Sequence, residues 1–191
     1  MASKLIVPNW HVFTGAQCSG KSTLITAMRP HVDRVIEEAA RLIIDENRRR
    51  GISVEETLRD RAAFTRQVAE LKLGLEAVAD REKLTFLDRG VPDSIPYMRL
   101  HGLDASHLYA HATQNRYRSV FFLEMLPYKR DYARSRDEKI RTALNYMLPR
   151  VYASLGYDII HIPRAPVDER VEMVLAHLKR DAAVDASLTV P

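Results

Sequence analysis

The stretch "FTGAQCSGKST", Phe13 to Thr23, contains a complete G-x-x-x-x-G-K-S pattern. The apolar "WHVFT" over 10–14 reads as a short buried strand that runs into it. "KSTLITAMRP" reads as a helix that follows it and stops near Pro30. Strand, glycine-rich loop and helix in that order make a phosphate-binding loop. Gly15 and Gly20 allow backbone angles closed to other residues and let the main chain approach phosphate oxygens. The N–H groups from about Gln17 to Ser22 form an anion nest, and the helix starting at Lys21 adds its positive end. Lys21 is expected to reach the β- and γ-phosphates of ATP, and the Ser22 hydroxyl to ligate Mg²⁺. Gly15, Ala16, Gln17, Cys18, Ser19, Gly20, Lys21, Ser22 and Thr23 are thus the expected nucleotide contacts.

The rest of the chain narrows what is done with that phosphate. Its 191 residues are 46% hydrophobic, enough for one domain with a sizeable core, here expected over residues 1–180 with a loosely ordered tail over 181–191. Lys and Arg total 29 against 25 Asp and Glu. That excess is mild, and nucleic acid is not an expected partner. Basic residues concentrate locally at Arg116, Arg118, Lys129, Arg130, Arg134 and Arg136, which fits an anionic small ligand better. Cys18 is the single cysteine, so no intrachain disulfide forms, as suits a reducing compartment. It reads as a small loop filler. No run approaches the roughly 20 apolar residues of a membrane span, so no membrane partner is expected and the setting reads as cytoplasmic.

Further elements alternate along the chain. A short strand over 34–36 precedes a helix that Gly51 ends. Ser53 and Glu56 form a capping box for a long helix reaching about Arg81, with Val54, Leu58, Ala62, Val68, Leu71, Leu75 and Val78 as its apolar face. "KLTFLDRG" carries a strand ending at Asp88. "VPDSIPYMRLHG" reads as a Pro-interrupted helix or loop, and "DASHLYAHATQNR" as a helix. "SVFFLEML" reads as a strand buried on both faces. A further helix, the strand "DIIHIP" and a closing helix with Val171, Val174, Leu175 and Leu178 inward complete the order. Such alternation predicts a three-layer α/β fold with a mostly parallel five-stranded sheet. Ligands in such folds sit at the carboxyl ends of the strands, where Thr14, Asp88, Glu124 and Pro163 fall.

Asp88, at the end of an apolar strand, is placed to hold Mg²⁺ through water or to accept a proton from a bound hydroxyl. The alternative is a cap or turn residue beside Gly90. Arg89 resembles the arginine of the acid–arginine pair in nucleoside and nucleotide kinases. Asp93 is either a further site acid or the cap of the next helix. One of Glu37 and Glu38 is expected to face the crevice and meet an acceptor; otherwise both solvate a helix N-terminus. Arg41 either binds an anionic acceptor or pairs with Glu38. "YKRDYARSRDE" suits a lid in which Arg130 or Arg134 stabilises charge on a transferring phosphoryl group. Alternatively it is a solvated loop whose arginines pair with Asp131, Asp137 and Glu138. The histidines show no metal-ligand spacing with cysteine, so zinc is not expected.

Taken in order, "FTGAQCSGKSTLI", "EEAARLI", "FLDRGVPDSIPY", "RYRSVFFLE", "YKRDYARSRDE", "LGYDIIHIP" and "DERVEMVLAHL" resemble small P-loop proteins catalogued as AAA-type ATPases. They are also similar to the ribosylnicotinamide kinase domain of the bacterial NAD regulator, and more distantly to thymidylate and deoxynucleoside kinases. The resemblance covers about residues 10–178. It implies a kinase-like P-loop fold using Mg-ATP, with Lys21 and Ser22 as phosphate and Mg²⁺ contacts, Asp88 as the acid, and Arg130 and Arg134 as lid residues. It does not imply a ring motor, since no sensor or arginine-finger block is found. The chain departs from relatives at Gln17-Cys18, where smaller residues are common. The expected activity is γ-phosphoryl transfer from Mg-ATP to a small hydroxylated, nucleoside-like acceptor. The alternatives are a simple ATPase or a nucleotide-sensing protein.

Overall fold

A computed structural model of the chain describes residues 7–126 and 138–188. Five strands carry the architecture: β1 (Trp10–Thr14), β2 (Arg34–Ile36), β3 (Thr85–Asp88), β4 (Ser119–Leu123) and β5 (Ile159–Ile162). They form one sheet of order β2-β3-β1-β4-β5, and every pairing is parallel. Every residue of β1, β3 and β4 is buried, while β2 and β5 at the edges are partly exposed. That is why the central strands read as unbroken apolar runs: helices cover both of their faces.

The helices are α1 (Lys21–Met28), α2 (Ala39–Arg49), α3 (Val54–Thr57), α4 (Arg61–Ala77), α5 (Ser94–Leu100), α6 (Ser106–Gln114), α7 (Glu138–Ser154) and α8 (Val167–Leu188). On one face of the sheet Phe13, Phe86 and Phe121 pack with Leu24 and Ile25 of α1 and Val174 of α8. On the other, Val12, Leu87 and Val120 pack with Tyr152 of α7. The result is the three-layer α/β arrangement of P-loop kinases. The phenyl rings of Phe13 and Phe86 lie 4.9 Å apart, and those of Phe13 and Phe121 5.0 Å. Each pair adds ring–ring attraction to its area burial.

The single long helix expected after Ser53 is instead two. Ser53 does cap α3, its hydroxyl accepting from Glu56 N at 3.1 Å. Asp60 then caps a new start, accepting from Ala63 N at 2.8 Å. A side chain that satisfies an orphan N–H in this way ends one helix and begins another. The face of α4 that is buried is Thr65, Ala69, Lys72 and Glu76, and Val78 lies 73% exposed. Of the expected apolar stripe, Leu75 packs against the core and Val68 is half-buried, but the most buried positions of the helix are largely polar.

α8 continues into the 181–191 stretch as far as Leu188. Asp181 within it accepts from Ser119 Oγ at 3.0 Å, and His177 Nε2 lies 2.9 Å from the same hydroxyl. Serine, histidine and aspartate meet here without forming a nucleophilic relay. His177 Nε2 faces both Ser119 and Asp181, the latter at 3.2 Å, so no second ring nitrogen links acid to hydroxyl. The cluster tethers α8 to the amino end of β4.

Candidate functional site

β1 is flanked by β3 on one side and β4 on the other, so the crevice opens where the connections diverge, at the carboxyl end of β1. The phosphate loop leaves β1 at that point. Gly15 has φ +139°, and a Cβ there would stand 2.6 Å from the carbonyl oxygen of Leu123. Only glycine fits. Gly20, at φ +81°, turns the chain into α1. Cys18 is buried with φ 64°, and its carbonyl accepts from Leu126 N at 2.7 Å. Arg170 of α8 braces the loop from outside, Nη1 donating to Ser19 O at 2.8 Å.

Lys21 Nζ donates to Gly15 O and Ala16 O, both at 3.0 Å, and to Ser19 Oγ at 3.1 Å. Burial and then the neighbouring Arg89 charge lower its pKa to about 8. Ser22 Oγ donates to Asp88 Oδ2 at 3.0 Å. The other carboxylate oxygen, Oδ1, is buried and has no hydrogen-bond partner. A hydroxyl beside a half-satisfied buried carboxylate fits the water-mediated Mg²⁺ hold of a P-loop. Burial and the Glu38 charge raise Asp88 to about 6, against the opposing pull of Lys21 and Arg89. Among the described residues no three His, Cys, Asp or Glu side chains cluster as a metal cage.

Arg89 is the hub. It is 5% exposed, and its backbone sits at φ 76°. Nε donates to Glu38 Oε1 at 2.8 Å; Nη1 donates to Gly15 O and to Asp93 Oδ1, each at 3.0 Å. Asp93 in turn accepts from Thr14 Oγ1 at 2.7 Å, Tyr152 OH at 2.6 Å and Gly90 N at 3.1 Å. Strained backbone at a site persists where its surroundings over-determine it, and these contacts do so. For Glu38, burial pushes the carboxyl up, but the charges of Arg89 and Lys21 outweigh it and hold it at about 2.

A cavity of about 500 Å³ runs from the phosphate loop, at residues from Gln17 to Thr23, to the walls formed by α2, α4 and α5. Glu38 and Arg41 line it. Glu37 does not: it is exposed and ion-paired with Arg29 outside the cavity. Asp93 is fully buried behind Arg89 and is a positioning acid, not a wall. Gly15 and Ala16 are also buried away from the cavity, facing Lys21 with their carbonyls. Glu124 stands at the carboxyl end of β4 beside Arg164 and takes no part in the wall. Arg130 and Arg134 lie outside the described residues. Arg116 and Arg118 are not part of the site. Arg116 stacks on Tyr157 at 3.9 Å, and Arg118 faces Asp181 at the opposite end of the sheet.

Sequence reasoning missed Arg61, Phe64 and Lys72 of the cavity wall, and did not single out Ser94 and Tyr97 within the stretch 88–97. A signal existed for the α4 members: Arg61, Thr65, Val68 and Lys72, all in the wall, recur at spacings of four and three. Apolar residues nearby at similar spacing obscured it.

With a phosphate loop, a Ser22–Asp88 pair and an all-parallel 2-3-1-4-5 sheet, this is a P-loop nucleoside-triphosphatase fold with the sheet order of P-loop kinases. The chain belongs to the family described as AAA domain, which matches residues 10–170. Among solved structures it is similar to deoxyadenosine kinase from M. mycoides with dCMP and dCDP bound, at 13% identity and a TM-score of 0.63, covering 90% of this chain and 98% of that one. It is similar to shikimate kinase from Acinetobacter baumannii in complex with shikimate, at 15% identity and 0.57, covering 93% and 96%. Shikimate kinase from Aquifex aeolicus is 19% identical with a TM-score of 0.52, over 91% and 98%. No protein of the curated set matches significantly. No helix among the described residues is long and apolar enough to cross a membrane.

The two shifted groups set a pH window. Below about 6, Asp88 takes up a proton and would lose attraction for a cation; above about 8, Lys21 loses the charge with which it would hold phosphate. Affinity for Mg²⁺ with an ATP analogue, measured by calorimetry across pH, is expected to peak between those values. A profile flat through both removes these two groups from binding.

Proposed function

We propose that the protein binds Mg-ATP and transfers the γ-phosphoryl group to a small hydroxylated, nucleoside-like acceptor. One observation supports this reading best: a single cavity joins the phosphate loop to a wall of Ile44, Phe64, Val68 and Tyr97. An attacking water needs no such room. A cavity of about 500 Å³ with apolar sides falls in the range that holds a small molecule.

The residues divide the work. The loop amides and the start of α1 bind the phosphates. Lys21 exchanges its loop carbonyls for phosphate oxygens. Ser22 and Asp88 are the residues that would hold Mg²⁺, which supplies charge neutralisation between the phosphates when bound. Glu38, kept ionised by Arg89, lies in the wall between loop and acceptor space, where it can accept a hydrogen bond from the acceptor hydroxyl and orient it. Two carboxylates with opposed shifts suit two roles: a permanent acceptor at Glu38 and a proton-exchanging or cation-holding group at Asp88.

The test is an ATP-consumption screen against nucleosides, pyridine nucleosides, sugars and vitamins, read by product mass. A phosphorylated product is expected. Slow hydrolysis that no acceptor accelerates would establish the ATPase reading instead. Lys21→Ala is expected to weaken ATP binding on the order of a hundredfold, since two charge-assisted bonds at roughly 1.5 kcal/mol each are lost. Unchanged affinity and turnover by calorimetry and coupled assay would remove the phosphate-loop assignment.

A further inference from the structure

The part of the cavity wall built from α4 and the start of α5 holds more hydrogen-bond donors than its own acceptors satisfy. Lys72 of α4 is 5% exposed and lines the cavity. Its ammonium carries three N–H groups, and one donates to Gly90 O at 3.1 Å. Ser94, at the start of α5, is 2% exposed and lines the same cavity, and its hydroxyl has no hydrogen-bond partner. Asp93, Glu38 and Glu76 stand close enough to Lys72 to balance part of its charge, and Arg89 opposes them. The oxygens of Asp93 and Glu76 are committed elsewhere, Asp93 to Arg89, Thr14 and Tyr152, Glu76 to Val91 N and Tyr117 OH. Neither Asp93 nor Glu76 lines the cavity. Arg41 and Arg61 add positive charge to its wall, and Glu38, one oxygen of which accepts from Arg89, is its single carboxylate among the described residues.

Buried donors without acceptors are costly, and each points to a group that completes it. A neutral hydroxyl or amide offers one or two acceptor lone pairs. A carboxylate or phosphate monoester offers only acceptors and a compensating charge. We propose that the molecule bound at this wall is an anion, with an apolar or ring-bearing body against Phe64, Val68 and Tyr97 and an acidic group on Lys72 and the Ser94 hydroxyl. Arg41 and Arg61 draw it in. This rests on the acceptor reading above and narrows it from nucleoside-like molecules at large to acidic ones. It also makes Lys72 a specificity residue.

The experiment fills the phosphate loop with Mg²⁺ and a non-hydrolysable ATP analogue, so that anions are not captured there. Phenyl phosphate, benzoate and benzyl alcohol are then titrated and followed by ligand-observed NMR. At least one anion is expected to bind about tenfold more tightly than benzyl alcohol, and the better of the two identifies the acidic group. Lys72→Met is expected to erase that preference and leave the ATP analogue bound. Arg61→Gln, at an exposed position where folding is not at stake, is expected to weaken the anion about threefold and to flatten its salt dependence. Benzyl alcohol binding as well as the anions, or no binding by either anion, overturns the proposal. Anion binding without phosphoryl transfer in the screen keeps this inference and removes the kinase reading. Transfer to a neutral nucleoside with no anion preference does the reverse.

Discussion

Arg89→Met is expected to lower the folding stability by about 3–5 kcal/mol, the usual loss when one member of a buried ion cluster is removed. The guanidinium is the shared partner of Glu38, Asp93 and the Gly15 carbonyl. Taking it away leaves the fully buried Asp93 carboxylate without its hydrogen-bonded counter-charge, and methionine cannot supply one. Arg89→Lys restores a charge but not the fork that reaches three partners, so an intermediate loss is expected. The sign of the pH effect follows from Glu38. Its folded pKa of about 2 is depressed from 4.5, so it contributes stability above 4.5 that is lost as pH falls toward 2. Without Arg89 that depression shrinks, and this part of the acid limb flattens. Urea melts of the three proteins at neutral and acidic pH measure both effects. A stability change within about 0.5 kcal/mol, the range typical of surface substitutions, would show that Arg89 is no hub.

How much of this was legible beforehand follows from which physical signals are local. The phosphate loop was readable because glycine at Gly15 and Gly20 answers a backbone need, and because a buried parallel strand must be apolar throughout. Asp88 and Arg89 were readable from their place at the end of such a strand. Glu37 and Glu38 could not be told apart, since both follow β2; only the position of Arg89, 51 residues further along, selects Glu38. The wall on α4 was hidden for a related reason. Lys72 and Glu76 occupy its buried face, which a hydrophobic pattern reads as solvent. Their burial is intelligible only once their partners are known: Lys72 donates to Gly90 O, and Glu76 accepts from Val91 N at 3.0 Å. The helix that walls the acceptor space thereby grips both sides of the peptide that follows Asp88 and Arg89. These two hydrogen bonds to the Gly90–Val91 peptide explain why polar residues stand where leucine would pack.

Asp88→Asn is expected to keep nucleotide binding and to lose Mg²⁺-dependent turnover by on the order of a thousandfold, the scale seen when a preorganised charge is removed from a reacting centre. The substitution is nearly isosteric. An amide oxygen can still accept from Ser22 Oγ, now 3.0 Å from the carboxylate, so the loop is expected to stay in place. What disappears is the negative charge beside the unpartnered Oδ1 position. It also removes a buried charge that burial and Glu38 already disfavour, as its pKa of about 6 records. Asp88→Asn is therefore expected to be as stable as the parent at neutral pH or slightly more so, in contrast to Arg89→Met. A protein that gains or keeps stability while losing turnover has lost a functional group and not a structural one. Mg²⁺ titrations of turnover, run beside thermal melts, separate the two. Full turnover at saturating Mg²⁺ would take Asp88 out of the reaction. A sharp drop in melting temperature would make it a structural acid, and the cation would then need another holder than the carboxylate at the end of β3.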